Sequence, residues 1–152
     1  GRFATIANNE SLTSVRIPQL EVVGDPDTAQ YLWSSLQLTA NPQLTEVAFD
    51  SLVAVGGAFR VQDNDELTDL DGFSSLRIVR GEFSLQGNRM LRDMTGLNGL
   101  EIVGVGGTDA GDFRVGDNPR MPIEQAETLA YDIIGEANIG GVIDIRDVDR
   151  EI

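Results

Sequence analysis

The chain has 152 residues, 41 % of them apolar, with 11 basic against 25 acidic side chains, no Cys, no His and a formal charge of −14. Every basic residue is Arg, so thiol nucleophiles, Ser-His-Asp relays, the usual zinc sites, Schiff bases and a phosphate-loop lysine are all excluded. The acidity also argues against nucleic acid or an anionic membrane surface as partner. At this length one domain, 1–152, is the expectation, and no apolar run approaches the roughly 20 residues of a membrane span. Opening at Gly1 rather than Met reads as a mature or excised piece of a longer protein. Lack of Cys fits both the cytosol and secreted proteins and leaves the compartment open.

Taken along the chain, the informative feature is a repeat. Asparagines stand at Asn9, Asn41, Asn64, Asn88 and Asn118, spaced by 32, 23, 24 and 30 residues. Three positions after each comes Leu12, Leu44, Leu67, Leu91 or Met121, and three before it Ile6, Leu38, Val61, Leu85 or Val115. Two earlier again stand Ala4, Leu36, Phe59, Phe83 and Phe113. Further columns run through Val15, Val47, Leu70 and Met94, through Leu20, Leu52, Leu76 and Leu100, and through Val23, Val55, Val79 and Val103. Segments such as Phe59-Arg60-Val61-Gln62 alternate inward and outward as strands do. Gly24, Gly57, Gly81 and Gly104 close the Val-ended segments, where a corner favours positive φ. Two insertions interrupt the base period, one after Val23 and one after Val103. The repeats are placed at 3–30, 31–57, 58–81, 82–111 and 112–141, with a terminal strand in 142–152. From Pro122 to Ile134 the apolar spacing of Ile123, Ala126, Ala130 and Ile133, with Gly135 behind it, predicts a helix over 122–134. Val148 stands where the next Asn would fall.

Strands recurring in every repeat, without helices between, predict a mainly β solenoid of about five to six coils with parallel stacked strands, each coil adding about 4.8 Å. The helix is expected to cap the C-terminal end. The five asparagines are expected to form a structural ladder of side-chain amides. The run Phe59 to Leu67, with Leu70, Phe73, Leu76, Ile78, Val79 and Gly81, resembles the receptor L-domain, a short right-handed parallel β-helix related to leucine-rich repeats. Asn9 to Gly24 is similar to fungal GPI-anchored cell-wall glycoproteins of that superfamily, and Asn118 to Pro122 with the following helix to bacterial surface L-domain-like proteins. The departures are the missing disulfides and the absence of a Cys-rich module or kinase. What the resemblance implies is an extracellular or cell-surface recognition and adhesion module without catalysis, cofactor or metal. Its partner would be a protein or glycan, with no nucleic acid and no membrane insertion, and homo-oligomers within a larger surface protein remain open.

On the sheet carrying the Phe column, the outward residues form two rows: Thr5, Gln37, Arg60, Ser84, Arg114, Asp144, and Ala7, Thr39, Gln62, Gln86, Gly116, Arg146. This face is either an ordinary solvated sheet or a hydrogen-bonding surface for a ligand, with Gln37, Thr39, Arg60, Gln62, Ser84, Gln86 and Arg114 as candidates; no acid is read in its middle. Tyr31 and Trp33, in the first insertion, are aromatic candidates for ligand contact or for packing back over the edge. Both insertions leave the same edge, about 14 Å apart. The acids from Asp63 to Asp71 miss the EF-hand pattern, and the sequon at Asn9 conflicts with the ladder. The outward rows lack a carboxylate pair at catalytic spacing. The alternative to recognition is a structural or assembly domain of a larger surface protein or fibre.

Overall fold

Alternation of apolar and polar residues produces short strands that bury every second side chain. The computed structural model describes residues 3–25, 34–104 and 111–146. In chain order the strands are β1 (Phe3–Ala7), β2 (Ser14–Arg16), β3 (Val22–Val23), β4 (Ser35–Thr39), β5 (Glu46–Ala48), β6 (Ala54–Val55), β7 (Phe59–Gln62), β8 (Ile78–Val79), β9 (Phe83–Gln86), β10 (Ile102–Val103), β11 (Phe113–Gly116) and β12 (Ile143–Ile145). They sort into three parallel sheets of six strands (β1-β4-β7-β9-β11-β12), four (β10-β8-β6-β3) and two (β2-β5). Each repeat is one tier: the first two visit all three sheets and the next two only the large and the four-stranded one, each return to the large sheet landing one strand further on.

The register of the large sheet joins Ala4, Leu36, Phe59, Phe83, Phe113 and Ile143 in one inward column and Ile6, Leu38, Val61, Leu85, Val115 and Ile145 in the next. From Leu36 to Phe113 the first column is fully buried. Phe59, Phe83 and Phe113 stack face to face, with centroids 5.4 and 4.9 Å apart and planes 9° and 8° from parallel. Phe73 closes on Phe59 edge-on at 5.0 Å and stacks on Phe49 at 5.1 Å. Parallel in-register pairing forces like residues to neighbour one another, so a Phe column becomes a stack of rings, the arrangement offset aromatic pairs favour.

The closed solenoid expected from the repeat is not what forms: the strands lie in flat, separate sheets. The third side explains why. After β2 and β5 the equivalent segments stop being strands, and Asp71–Phe73 and Thr95–Leu97 turn as single 3-10 turns. Only an isolated bridge, Asp69 to Asp93, continues the pairing. Gly72 and Gly96 lie so close to the backbone of the preceding tier (Val47 and Leu70) that a Cβ at either would overlap it.

The C-terminal helix is also shorter than expected. A true α-helix, α1, covers only Ile123–Glu127, and Thr128–Ile134 continues as a π-helix. Its i→i+5 bonding widens the turn, and Gly135 N–H donates to the Ala130 carbonyl at 3.1 Å before the chain leaves at φ 80°. The wider turn moves the apolar stripe by one residue. Ala126, Leu129, Ala130 and Ile134 are buried, whereas Ile133 is exposed.

The corner glycines differ as well. Positive φ occurs at Gly24 and Gly104, each immediately before an insertion, and not at Gly57 or Gly81. A left-handed residue instead precedes every ladder asparagine: Asn8, Ala40, Asp63, Gly87 and Asp117, with φ between 54° and 70°.

Candidate functional site

Two sets of polar residues are organised by this fold, one inside the turns and one on the outer face. The left-handed residue at the end of each large-sheet strand swings the following asparagine inward. Asn41, Asn64 and Asn88 are completely buried, Asn118 nearly so, and Asn9 is exposed. Asn9 Nδ2 donates to Asn41 Oδ1 at 2.9 Å, Asn41 to Asn64 at 3.1 Å, Asn64 to Asn88 at 3.3 Å and Asn88 to Asn118 at 3.1 Å. The backbone N–H of each of these four donates to the same oxygen, at 3.0–3.3 Å. Nδ2 also reaches back to the strand carbonyl of the preceding tier: Asn41 to Ile6, Asn64 to Leu38, Asn88 to Val61 and Asn118 to Leu85. A buried amide with all its donors and acceptors engaged is a structural group, since nothing is left to bind a ligand.

On the outer face the in-register row runs Thr5, Gln37, Arg60, Ser84, Arg114, Asp144, and the neighbouring one Ala7, Thr39, Gln62, Gln86, Gly116. Arg60, Gln37, Gln62 and Gln86 are half-buried and Arg114 is exposed. Ser84 faces outward yet has no exposed surface: Arg60 and Arg114 flank it in register, and Gln62 Nε2 donates to its Oγ at 2.7 Å. The Thr39 hydroxyl is likewise buried, without a hydrogen-bond partner among the described residues. Gln37 Nε2 donates to Ser35 Oγ at 3.0 Å. The hydroxyls of Ser84 and Thr39 thus lie beneath the surface, and the groups displayed are the arginines and the glutamine amides. Tyr31 and Trp33 lie outside the described residues.

The arginines are not alone. Arg60 pairs with Glu82 at 2.8 Å. Arg114 pairs with Asp112 at 2.6 Å and approaches Glu82 at 3.6 Å, and Arg146 pairs with Asp144 at 2.7 Å. Asp112 Oδ1 additionally accepts the Val142 N–H at 2.9 Å. That backbone bond first, and the Arg114 bond second, hold the Asp112 carboxyl below its ordinary range. The same ion pairs raise Arg114 and Arg146 further above theirs. Sequence reading missed Glu82 and Asp112, although the signal was present. One step before the Phe column, alternation places residues 82 and 112 on the same outward side as 84 and 114. The face therefore carries acids after all, and its three arginines are matched by three carboxylates in a chain of charge −14.

Elsewhere, an open depression of about 170 Å³ lies between the Thr95 turn and α1, lined by Thr95, Asn98, Glu124, Gln125 and Thr128. Its Gln125 Oε1 accepts the Met94 N–H at 2.9 Å and so docks α1 on the stack. Asp69 and Asp93 serve turns: Asp69 accepts the Asp71 N–H and Asp93 the Thr95 N–H and hydroxyl. Among the described residues no group of three or more acidic side chains is arranged to hold a metal ion, and no helix is long and apolar enough to cross a membrane. No protein-family model matches the chain, and no solved structure matches it.

Proposed function

We propose that this protein is a non-enzymatic recognition or adhesion module of the extracellular space or a cell surface, binding a protein or a glycan through the outer face of the six-stranded sheet. The observation that carries this reading is the charge-balanced row of Arg60, Glu82, Arg114 and Asp112, which holds the guanidinium groups at fixed positions on a rigid sheet. Ordering the side chains before binding reduces the entropy lost on association. Local neutrality spares a partner the repulsion that a net charge of −14 exerts elsewhere. The half-buried amides of Gln62 and Gln86 supply donors and acceptors beside the arginines.

The test is an array of glycans and cell-surface proteins probed with the intact chain and with Arg60→Ala, Arg114→Ala and Trp33→Ala. Loss of a specific signal in the two arginine variants is the expected result. A signal indifferent to both removes the sheet face as the site, and one lost only in Trp33→Ala moves it to the first insertion. A second reading, a structural or assembly domain of a larger surface protein, is favoured by the first tier, where Phe3 is 62 % exposed. No array signal at all favours that reading.

A further inference from the structure

The asparagine ladder has a direction, and its two ends differ. Each Asn Oδ1 from Asn41 to Asn118 receives two hydrogens from the tier before it, one from the backbone and one from the side chain. Among the described residues nothing donates to Asn9 Oδ1. Among the described residues Asn9 Nδ2 also has no carbonyl of a preceding tier, which Asn41, Asn64, Asn88 and Asn118 all have. At this same end β1, β2 and β3 are the outer strands of their sheets. The apolar interior shows through between them: Ala4, Ile6, Leu12 and Leu20 are only partly buried, and Phe3 is exposed. The strand β1 carries no charged residue, the usual protection of a free edge. The other end is finished differently, with α1 packed against β12 and an Asp144–Arg146 ion pair beside the last strand.

We propose that the first tier is a docking surface for one more repeat of the same kind, lying ahead of Phe3 in the same polypeptide. The ladder specifies the occupant's chemistry. It must bring a parallel strand for β1, an asparagine turn whose N–H and Nδ2 donate to Asn9 Oδ1, and a strand carbonyl for Asn9 Nδ2. The far end of a second copy does not supply these, because there β12 lies beyond Asn118, the last asparagine of the ladder among the described residues. A lone repeat cannot bury its own apolar face, so the occupant belongs to a continuous array. This inference rests on the ladder and not on the recognition reading, and its failure leaves that reading untouched.

The experiment joins a copy of residues 34–57, one full tier, directly to Phe3 of the otherwise intact chain, which keeps the native spacing of the Leu36 column. The expected result is a thermal midpoint about 5 °C or more above that of the original chain, together with slower amide exchange in β1. Asn9→Ala, which the original chain should tolerate, should remove most of that gain in the extended one, where Asn9 becomes an interior member of the ladder. An unchanged or lower midpoint overturns the proposal, as does a gain that survives this substitution. A light-scattering mass showing that the original chain is already a dimer, broken by Phe3→Asp, also overturns it by making a second copy the occupant.

Discussion

Asn64→Ala is the sharpest test of how the tiers are held together. In the native protein Asn64 Oδ1 accepts the Asn41 N–H at 3.2 Å and Asn41 Nδ2 at 3.1 Å. Its own Nδ2 donates to the Leu38 and Gln62 carbonyls at 2.9 and 3.0 Å and to Asn88 Oδ1 at 3.3 Å. Truncation leaves some of these partners provided for. Asn41 Nδ2 keeps the Ile6 carbonyl, Asn88 Oδ1 keeps the Asn64 backbone N–H, and the Gln62 carbonyl keeps the Ala40 N–H. The Asn41 N–H and the Leu38 carbonyl each lose a partner in a dry interior. At about 1–3 kcal/mol for each buried group that loses its partner, the expected loss is about 2–6 kcal/mol, a large share of the 5–15 kcal/mol typical of whole domains. Asn9→Ala removes an exposed side chain whose oxygen accepts nothing among the described residues, so its cost should stay near 1 kcal/mol or below. Equilibrium urea unfolding of the two variants, with equal m-values, measures the contrast. Equal losses, or a loss below about 1 kcal/mol for Asn64→Ala, would refute the claim that the buried amides carry the stack.

Three further outcomes follow from single positions. Ala40 holds φ 54° without the polar side chain that eases this conformation at Asn8, Asp63 and Asp117, so Ala40→Asn should raise stability by about 0.5–1 kcal/mol, read as a higher urea midpoint. Gly72→Ala drives a Cβ into the Val47 carbonyl inside the stack and should cost about 3 kcal/mol or leave the chain unfolded by circular dichroism at room temperature. Asp112 has a folded-state pKa lowered by the Val142 N–H and Arg114, so its stabilisation is present above the ordinary carboxylate range and is lost as pH falls through the lowered value. The midpoint difference between the native chain and Asp112→Asn should therefore be largest at pH 7 and shrink as the pH is taken below the ordinary carboxylate range, and a difference independent of pH would contradict it.

How much of this was legible in the sequence depends on how local the physics was. The inward columns could be read because alternation of period two fixes which side chains share a face, and a parallel register carries the same column from tier to tier. The separate flat sheets could not be read, because the third side depends on the close approach of Gly72 and Gly96 to the backbone of the tier before. The π-helix was hidden for a related reason: Ile133 and Ile134 are both apolar, and only the wider turn selects Ile134 for the interior. On the candidate face the arginines stood out while their partners did not. Glu82 and Asp112 belong to the row one residue outside the Phe column, where the aligned residues Ser35 and Ala58 are small and buried, so the repeat gave no reason to look there.

Those misses separate two kinds of position. The asparagines, the left-handed residues before them and the stacked Phe rings recur because every tier must satisfy the same turn and fill the same layer. Their recurrence is accounted for by hydrogen bonds of 2.8–3.3 Å and ring centroids about 5 Å apart. The outward row is under no such constraint and is mixed: Thr5, Gln37, Arg60, Ser84, Arg114 and Asp144 carry hydroxyl, amide, guanidinium and carboxylate groups in no repeating order. Even so, its two arginines are matched by Glu82 and Asp112, and its Asp144 by Arg146. Stacking requires the first pattern and leaves the second free, so a change at Arg60 or Arg114 should leave the urea midpoint nearly where it was while altering whatever the face binds, the reverse of what is expected at Asn64.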